Sequence, residues 1–243
     1  MTIIPTRASR KSPGLQAHTD SARRRATARI AAVAAGLVLF CGTQSTAAAA
    51  ESSPAPRGTP PALLVLGDSL SAEYGLQRDS GWVKLLEERL RADGYDYRIV
   101  NASISGETTS GGLTRIDELL TRVKPAIVIV ELGGNDALRG LPLAATQQNL
   151  EAIVTRSQKI RASVLLVGMM IPPNYGKAYA DRFAQMYVSV AERYKTALMP
   201  FFFEGFADRY DLFQPDRIHP TAAAQVRLLE NVWPALQPLL KRR

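Results

Sequence analysis

Four short blocks of this 243-residue chain hold the residue types that acyl-transfer chemistry requires. In Gly67-Asp68-Ser69-Leu70-Ser71 a serine follows a glycine that permits a tight turn and an exposed hydroxyl. Serine is a weak nucleophile near neutral pH unless a base takes its proton. Asp216-Arg217-Ile218-His219-Pro220 offers that base. The three-residue offset lets one turn of loop bring the Asp216 carboxylate to the nearer ring nitrogen of His219, leaving the other nitrogen free to face serine. In Glu131-Leu132-Gly133-Gly134-Asn135-Asp136, an asparagine beyond two glycines can point its amide into a cleft. Such a donor stabilises a developing oxyanion, and its removal costs about 100- to 1000-fold in rate. In Asn101-Ala102-Ser103-Ile104-Ser105-Gly106-Glu107-Thr108, Gly106 lets its backbone N–H approach a ligand closely. Each block alone also has a plainer reading: a turn or helix cap, a simple loop, an Asn-Asp turn, a surface Asp–His pair.

The histidine count narrows the choice. The chain has two, His18 and His219, and His18 lies in an N-terminal stretch that reads as a leader. Any serine–histidine chemistry therefore falls to His219, and a zinc hydrolase, which usually needs two or three histidine ligands, is nearly excluded. Together the blocks supply a nucleophile (Ser69), a base (His219) with its carboxylate (Asp216), and three oxyanion donors: the N–H of Ser69, the N–H of Gly106 and the Asn135 amide. The residue two after Ser69 is Ser71 rather than glycine, so the G-x-S-x-G elbow of α/β-hydrolases is absent.

The pattern around these blocks predicts alternating strands and helices. Aliphatic runs at 62–66, 97–100, 126–130, 164–167 and 197–202 read as five strands. Helical spacing links Trp82, Leu85, Leu86 and Leu90; Leu113, Ile116, Leu119, Leu120 and Val123; Leu150, Ile153, Val154 and Ile160; and Tyr179, Phe183, Met186, Tyr187, Val190 and Tyr194. A last helix is expected from near Pro220 to the C-terminus, with Val226, Leu229, Trp233 and Leu236 on its inner face and Pro234 kinking it. Strands apolar on both faces imply a parallel sheet covered by helices on both sides. The fold class is α/β, a flavodoxin-like doubly wound five-stranded sheet, and ligands then bind beyond the carboxyl ends of the strands, where all four blocks lie.

The formal charge of +8 belongs mostly to the leader. Residues 1–50 carry seven basic residues and one acid, leaving 23 bases and 21 acids for the remainder. No basic stripe with interleaved aromatics remains, so nucleic acid is excluded as a partner. A basic stretch through Arg29, an apolar run from Ile30 to Phe40 and the small residues up to Ala50 read as a signal peptide cleaved near Ala50. The apolar run is shorter than the roughly 20 residues a spanning helix needs, so no stable membrane span is expected in the mature chain. The sole cysteine, Cys41, lies in this leader behind Phe40, a poor setting for lipid attachment. The mature chain then has neither disulfides nor cysteine metal ligands. The domain scheme is a leader at 1–50, a linker at 51–61 and one catalytic domain at 62–243.

The ordered blocks GDSLS, NASISGET, ELGGND and DRIHP resemble those of the GDSL/SGNH hydrolases. The longer stretches NASISGETTSGGL, VELGGNDALRGLP and IPPNYGKAY are similar to the bacterial periplasmic acyl-CoA thioesterase/lysophospholipase/arylesterase subgroup. The resemblance implies the SGNH fold, Ser69 as nucleophile, Gly106 and Asn135 completing the oxyanion hole, Asp216 and His219 completing the triad, and no metal or cofactor. It also implies a monomeric exported enzyme, periplasmic or secreted, acting on small acyl esters or thioesters, with the loop after Asn135 helping to select acyl chains. Leu138, Leu141 and Pro142 would form one wall of an acyl slot, and Ile171, Pro173 and Tyr175 the other; ordinary loop packing is the alternative for both. Arg139 either meets an anionic head group or is solvated. Rival readings are an acetyl esterase for carbohydrates or cell-wall polymers, and a secreted binding protein without turnover.

Overall fold

The computed structural model describes residues 58–242, so the expected leader and most of the expected linker lie outside the described residues. The chain enters β1 (Ala62–Gly67), then runs through α1 (Trp82–Ala92), β2 (Arg98–Asn101), α2 (Thr109–Val123), β3 (Pro125–Glu131), the short α3 (Gly134–Leu138), α4 (Leu143–Lys159), β4 (Ser163–Val167), α5 (Lys177–Tyr194), β5 (Ala197–Met199) and α6 (Gln225–Leu236). The strands form one sheet in the order β2-β1-β3-β4-β5, and every pairing is parallel.

Chain order dictates the layering. The path steps from β1 outward to β2, then crosses back over β1 to β3 and continues to β5. Right-handed crossovers put helices made in opposite directions on opposite faces. Accordingly α1 packs with α6, while α4 packs with both α2 and α5. β1 and nearly all of β3 are buried between these layers, which explains why their sequences are aliphatic without alternation. Each fully buried Leu, Ile or Val there contributes about 1.5–3 kcal/mol of transfer free energy.

Some expected boundaries are corrected. β5 ends at Met199 rather than near Phe202, although Phe202 remains fully buried within the following loop. The last helix begins at Gln225, after a single 3-10 turn at Ala222–Ala224, because Pro220 is held in a bridge to Phe213. Val226 and Ile160 are exposed rather than inward. α6 buries Gln225, Leu228, Leu229, Val232, Trp233 and Leu236, a stripe that leaves Val226 outside it, and Ile160 is the residue that ends α4. Pro234 lies within α6, which continues to Leu236 before giving way to a 3-10 turn at Gln237–Leu239. Among the described residues no helix is long and apolar enough to cross a membrane.

Candidate active site

The sheet reverses its winding between β1 and β3, and the segments that leave these two strands face one another at their carboxyl ends. Ligands in open α/β sheets bind at such a switch point. β1 ends at Gly67, where any side chain would collide: a Cβ would lie 2.8 Å from Ser71 Cβ and 2.9 Å from Glu131 Oε2. Only glycine allows the chain to turn here against buried Ser71 and Glu131. The turn is closed by bonds from the Ala72 N–H to the Asp68 carbonyl (2.9 Å) and from the Tyr74 N–H to the Ser69 carbonyl (3.2 Å). This leaves Ser69 half-buried at the sheet edge.

His219 reaches Ser69 from the long segment after β5. Its Nε2 lies 2.8 Å from Ser69 Oγ, and its Nδ1 lies 2.7 Å from Asp216 Oδ2. The other Asp216 oxygen accepts the backbone N–H groups of Ile218 (2.9 Å) and His219 (3.0 Å). Burial works to raise the Asp216 pKa, but these bonds outweigh it and bring it below the ordinary aspartate value. Between the two residues Arg217 adopts the left-handed conformation that so short a loop demands. Gln214 ties the loop to the Ser69 turn: its backbone N–H donates to the His219 carbonyl (2.7 Å), and its side chain donates to the carbonyl of Tyr74 (2.9 Å).

The other two blocks are cross-linked. Gly106 takes φ of +79°, a conformation that favours glycine. Arg115 braces the loop before it, bonding the Ala102 carbonyl (2.6 Å) and Glu107 (2.8 Å). Asp136 is buried and accepts the Thr109 N–H (2.9 Å) and hydroxyl (2.5 Å), joining the segment after β3 to the start of α2. The Asn135 side-chain amide donates to Asp68 Oδ2 at 2.9 Å, beside the Ser69 turn. Four segments separated in sequence are thus held at one place, and their residue types are those of acyl transfer.

Comparison with known proteins decides the family. The family described as GDSL-like Lipase/Acylhydrolase matches residues 65–227, about two thirds of the chain. The chain belongs to this family of ester hydrolases. It is 55% identical to the esterase TesA of Pseudomonas aeruginosa over 178 residues, covering 73% of this chain and 89% of that protein. It is 39% identical to thioesterase 1/protease 1/lysophospholipase L1 of Escherichia coli, also over 178 residues, covering 73% of this chain and 84% of that protein. A crystal structure of TesA superposes with a TM-score of 0.72 at 55% identity, covering 74% of this chain and 99% of that one.

The residues expected to line an acyl slot in this hydrolase are placed unequally. Leu138, Leu141, Pro142 and Tyr175 are exposed in segments leaving β3 and β4. Ile171 is buried and lines a groove of about 540 Å³ along α5, together with Met170, Ala184 and Val188; Ser69 and His219 do not line it. Pro173 opens a 3-10 turn, Pro173–Tyr175, and its side chain lies outside the described residues. Arg139 is exposed and donates to the Gly106 carbonyl (2.9 Å), so it serves as a tie to the Gly106 loop. Among the described residues no cluster of His, Cys, Asp and Glu could hold a metal ion.

Sequence reasoning passed over three participants. Glu131, the last residue of β3, is buried and accepts the Ser71 hydroxyl at 2.8 Å and the Asp68 N–H at 3.3 Å. Tyr74 lays its ring against the His219 imidazole, centroids 4.4 Å apart. Asp68 was visible only as the middle of Gly-Asp-Ser. A charged residue closing an otherwise aliphatic strand was the one available signal, and it pointed to Glu131.

Proposed function

We propose that the chain hydrolyses acyl esters and thioesters, of the aryl ester, acyl-CoA and lysophospholipid kinds, through an acyl-enzyme on Ser69. The observation that carries this reading is the continuous contact from Ser69 Oγ through His219 to Asp216, at 2.8 and 2.7 Å. His219 takes the Ser69 proton as the hydroxyl attacks the acyl carbonyl. Asp216 fixes the tautomer and stabilises the imidazolium. The N–H groups of Ser69 and Gly106 and the amide of Asn135 receive the oxyanion. The alcohol or thiol leaves with the proton from His219, and water then releases the acid by the same steps in reverse order.

The substrate classes are supported by the names of the relatives, an esterase and a thioesterase/lysophospholipase. Leu138, Leu141, Pro142 and Tyr175 offer the apolar contact an acyl chain needs. The basic, apolar and small-residue succession within residues 1–50 supports export to the periplasm or beyond. The test is a panel of p-nitrophenyl esters, acyl-CoA, lysophospholipid and acetylated xylan. The intact enzyme should act on the first three, and Ser69→Ala should lose about 10⁴-fold or more on all of them. Retained turnover in that variant, or a clear preference for acetylated xylan, overturns the reading.

A further inference from the structure

Asp68 precedes the nucleophile, is only 3% exposed, and is placed between two donors. Its Oδ1 accepts the backbone N–H of Leu70 at 3.0 Å, and its Oδ2 accepts the side-chain amide of Asn135 at 2.9 Å. The carboxylate cannot swing away. The Asp68 N–H is held by Glu131 Oε2, which also accepts the Ser71 hydroxyl, and Ser71 Oγ in turn accepts the Trp82 indole N–H at 3.2 Å. From this geometry we infer that Asp68 is a positioning residue, which fixes the Asn135 amide with its second N–H turned toward the reacting carbonyl. The inference rests on the reading of Asn135 as an oxyanion donor.

The physical reason lies in the near symmetry of the asparagine amide. Its oxygen and nitrogen ends have almost the same shape, so only a partner's chemistry decides which end points where. An ionised carboxylate accepts at both oxygens and can satisfy the Leu70 N–H and the Asn135 amide together. An amide at position 68 could not. The Leu70 N–H belongs to the backbone and would keep the amide oxygen, so the NH₂ end would face Asn135. Asn135 would then turn its carbonyl to that NH₂, presenting an acceptor where the oxyanion requires a donor. Burial pushes the Asp68 pKa up to about 6, against the Leu70 and Asn135 bonds that lower it, so the group is ionised above that pH. Glu131 is raised well above the carboxylate range by burial and then by the Asp68 charge, and is the neutral member of the pair.

A double-mutant cycle tests this, with kcat and KM measured on one p-nitrophenyl ester and normalised to folded enzyme. Asn135→Ala should lower kcat about 100- to 1000-fold. Asp68→Asn should lower kcat by a comparable factor with KM little changed, and should cost less than about 3-fold when added to Asn135→Ala. A purely structural effect of position 68 would multiply through both backgrounds equally, which overturns the inference, as does a full-rate Asp68→Asn enzyme. Asp68→Ala is the second variant and should show the same lack of additivity. If both fail to fold, Asp68 is a folding determinant and the positioning role is overturned. Full activity in Asn135→Ala alone would instead sink the reading of Asn135 as an oxyanion donor, a distinguishable failure.

Discussion

The imidazole of His219 is held by more than its two nitrogens. Nδ1 meets Asp216, Nε2 meets Ser69, and the tilted ring of Tyr74 lies 4.4 Å away, centroid to centroid. On the proposed mechanism an imidazolium formed at His219 would be stabilised by the electron-rich ring beside it. At an exposed site such a contact is worth about 0.5–1 kcal/mol. Tyr74→Leu should therefore lower kcat about 2- to 5-fold, whereas Tyr74→Phe keeps the ring and should stay near the parent rate. Equal kcat for the Leu and parent enzymes would remove Tyr74 from the mechanism. At this scale legibility follows chemistry. Ser69, Asn135 and His219 stand out because their blocks follow one another in order along the chain and His219 is the one histidine outside the expected leader. Tyr74, Gln214 and Glu131 act through contacts across 60 or more residues in sequence, which no local spacing encodes.

Secondary elements carried the plainest message in the sequence. Buried runs marked β1, β3 and β4, and helical stripes marked α1, α2, α4 and α5, because both patterns arise from burial against the same sheet. The short α3, five residues after two glycines, has no room for a period and was invisible. Gln225 shows why the inner face of α6 was misread. A glutamine reads as surface, yet this one is buried, and its Oε1 accepts the N–H of Trp82 at 2.9 Å, one of the donors that the start of α1 leaves unpaired. One side chain thus joins two helices that pack together. Gln225→Leu should strand that buried N–H and destabilise the protein by about 1–3 kcal/mol in urea unfolding. Rate per folded molecule is a separate readout, because Trp82 also donates its indole N–H to Ser71 in the network that holds Asp68. An unaltered midpoint would mean that water or another group serves α1 equally well.

Considered as a whole, the described unit distributes its exposed apolar side chains unevenly. Ten large ones are exposed among the described residues, and all but Ile160 and Val226 lie in the segments that leave the carboxyl ends of the strands. Scattered exposed Leu or Tyr is ordinary, and the segments that leave the strands are also the longer ones. The eight stand on the end that bears Ser69 and His219, where a bound acyl chain could meet them. An acetyl group is too small to use them; an acyl chain of several methylenes can. Each methylene fully withdrawn from water gives up to about 0.8 kcal/mol, roughly 4-fold in kcat/KM. These contacts are partly open, so a rise of about 10- to 100-fold from the two-carbon to the six-carbon p-nitrophenyl ester is expected. Leu138 and Leu141 sit closest in sequence to Asn135, and Leu141→Ala should flatten that slope more than it alters hydrolysis of the acetyl ester. A series that is flat, or that falls beyond two carbons in the parent enzyme, would detach the apolar rim from catalysis and favour short acyl groups on polar carriers.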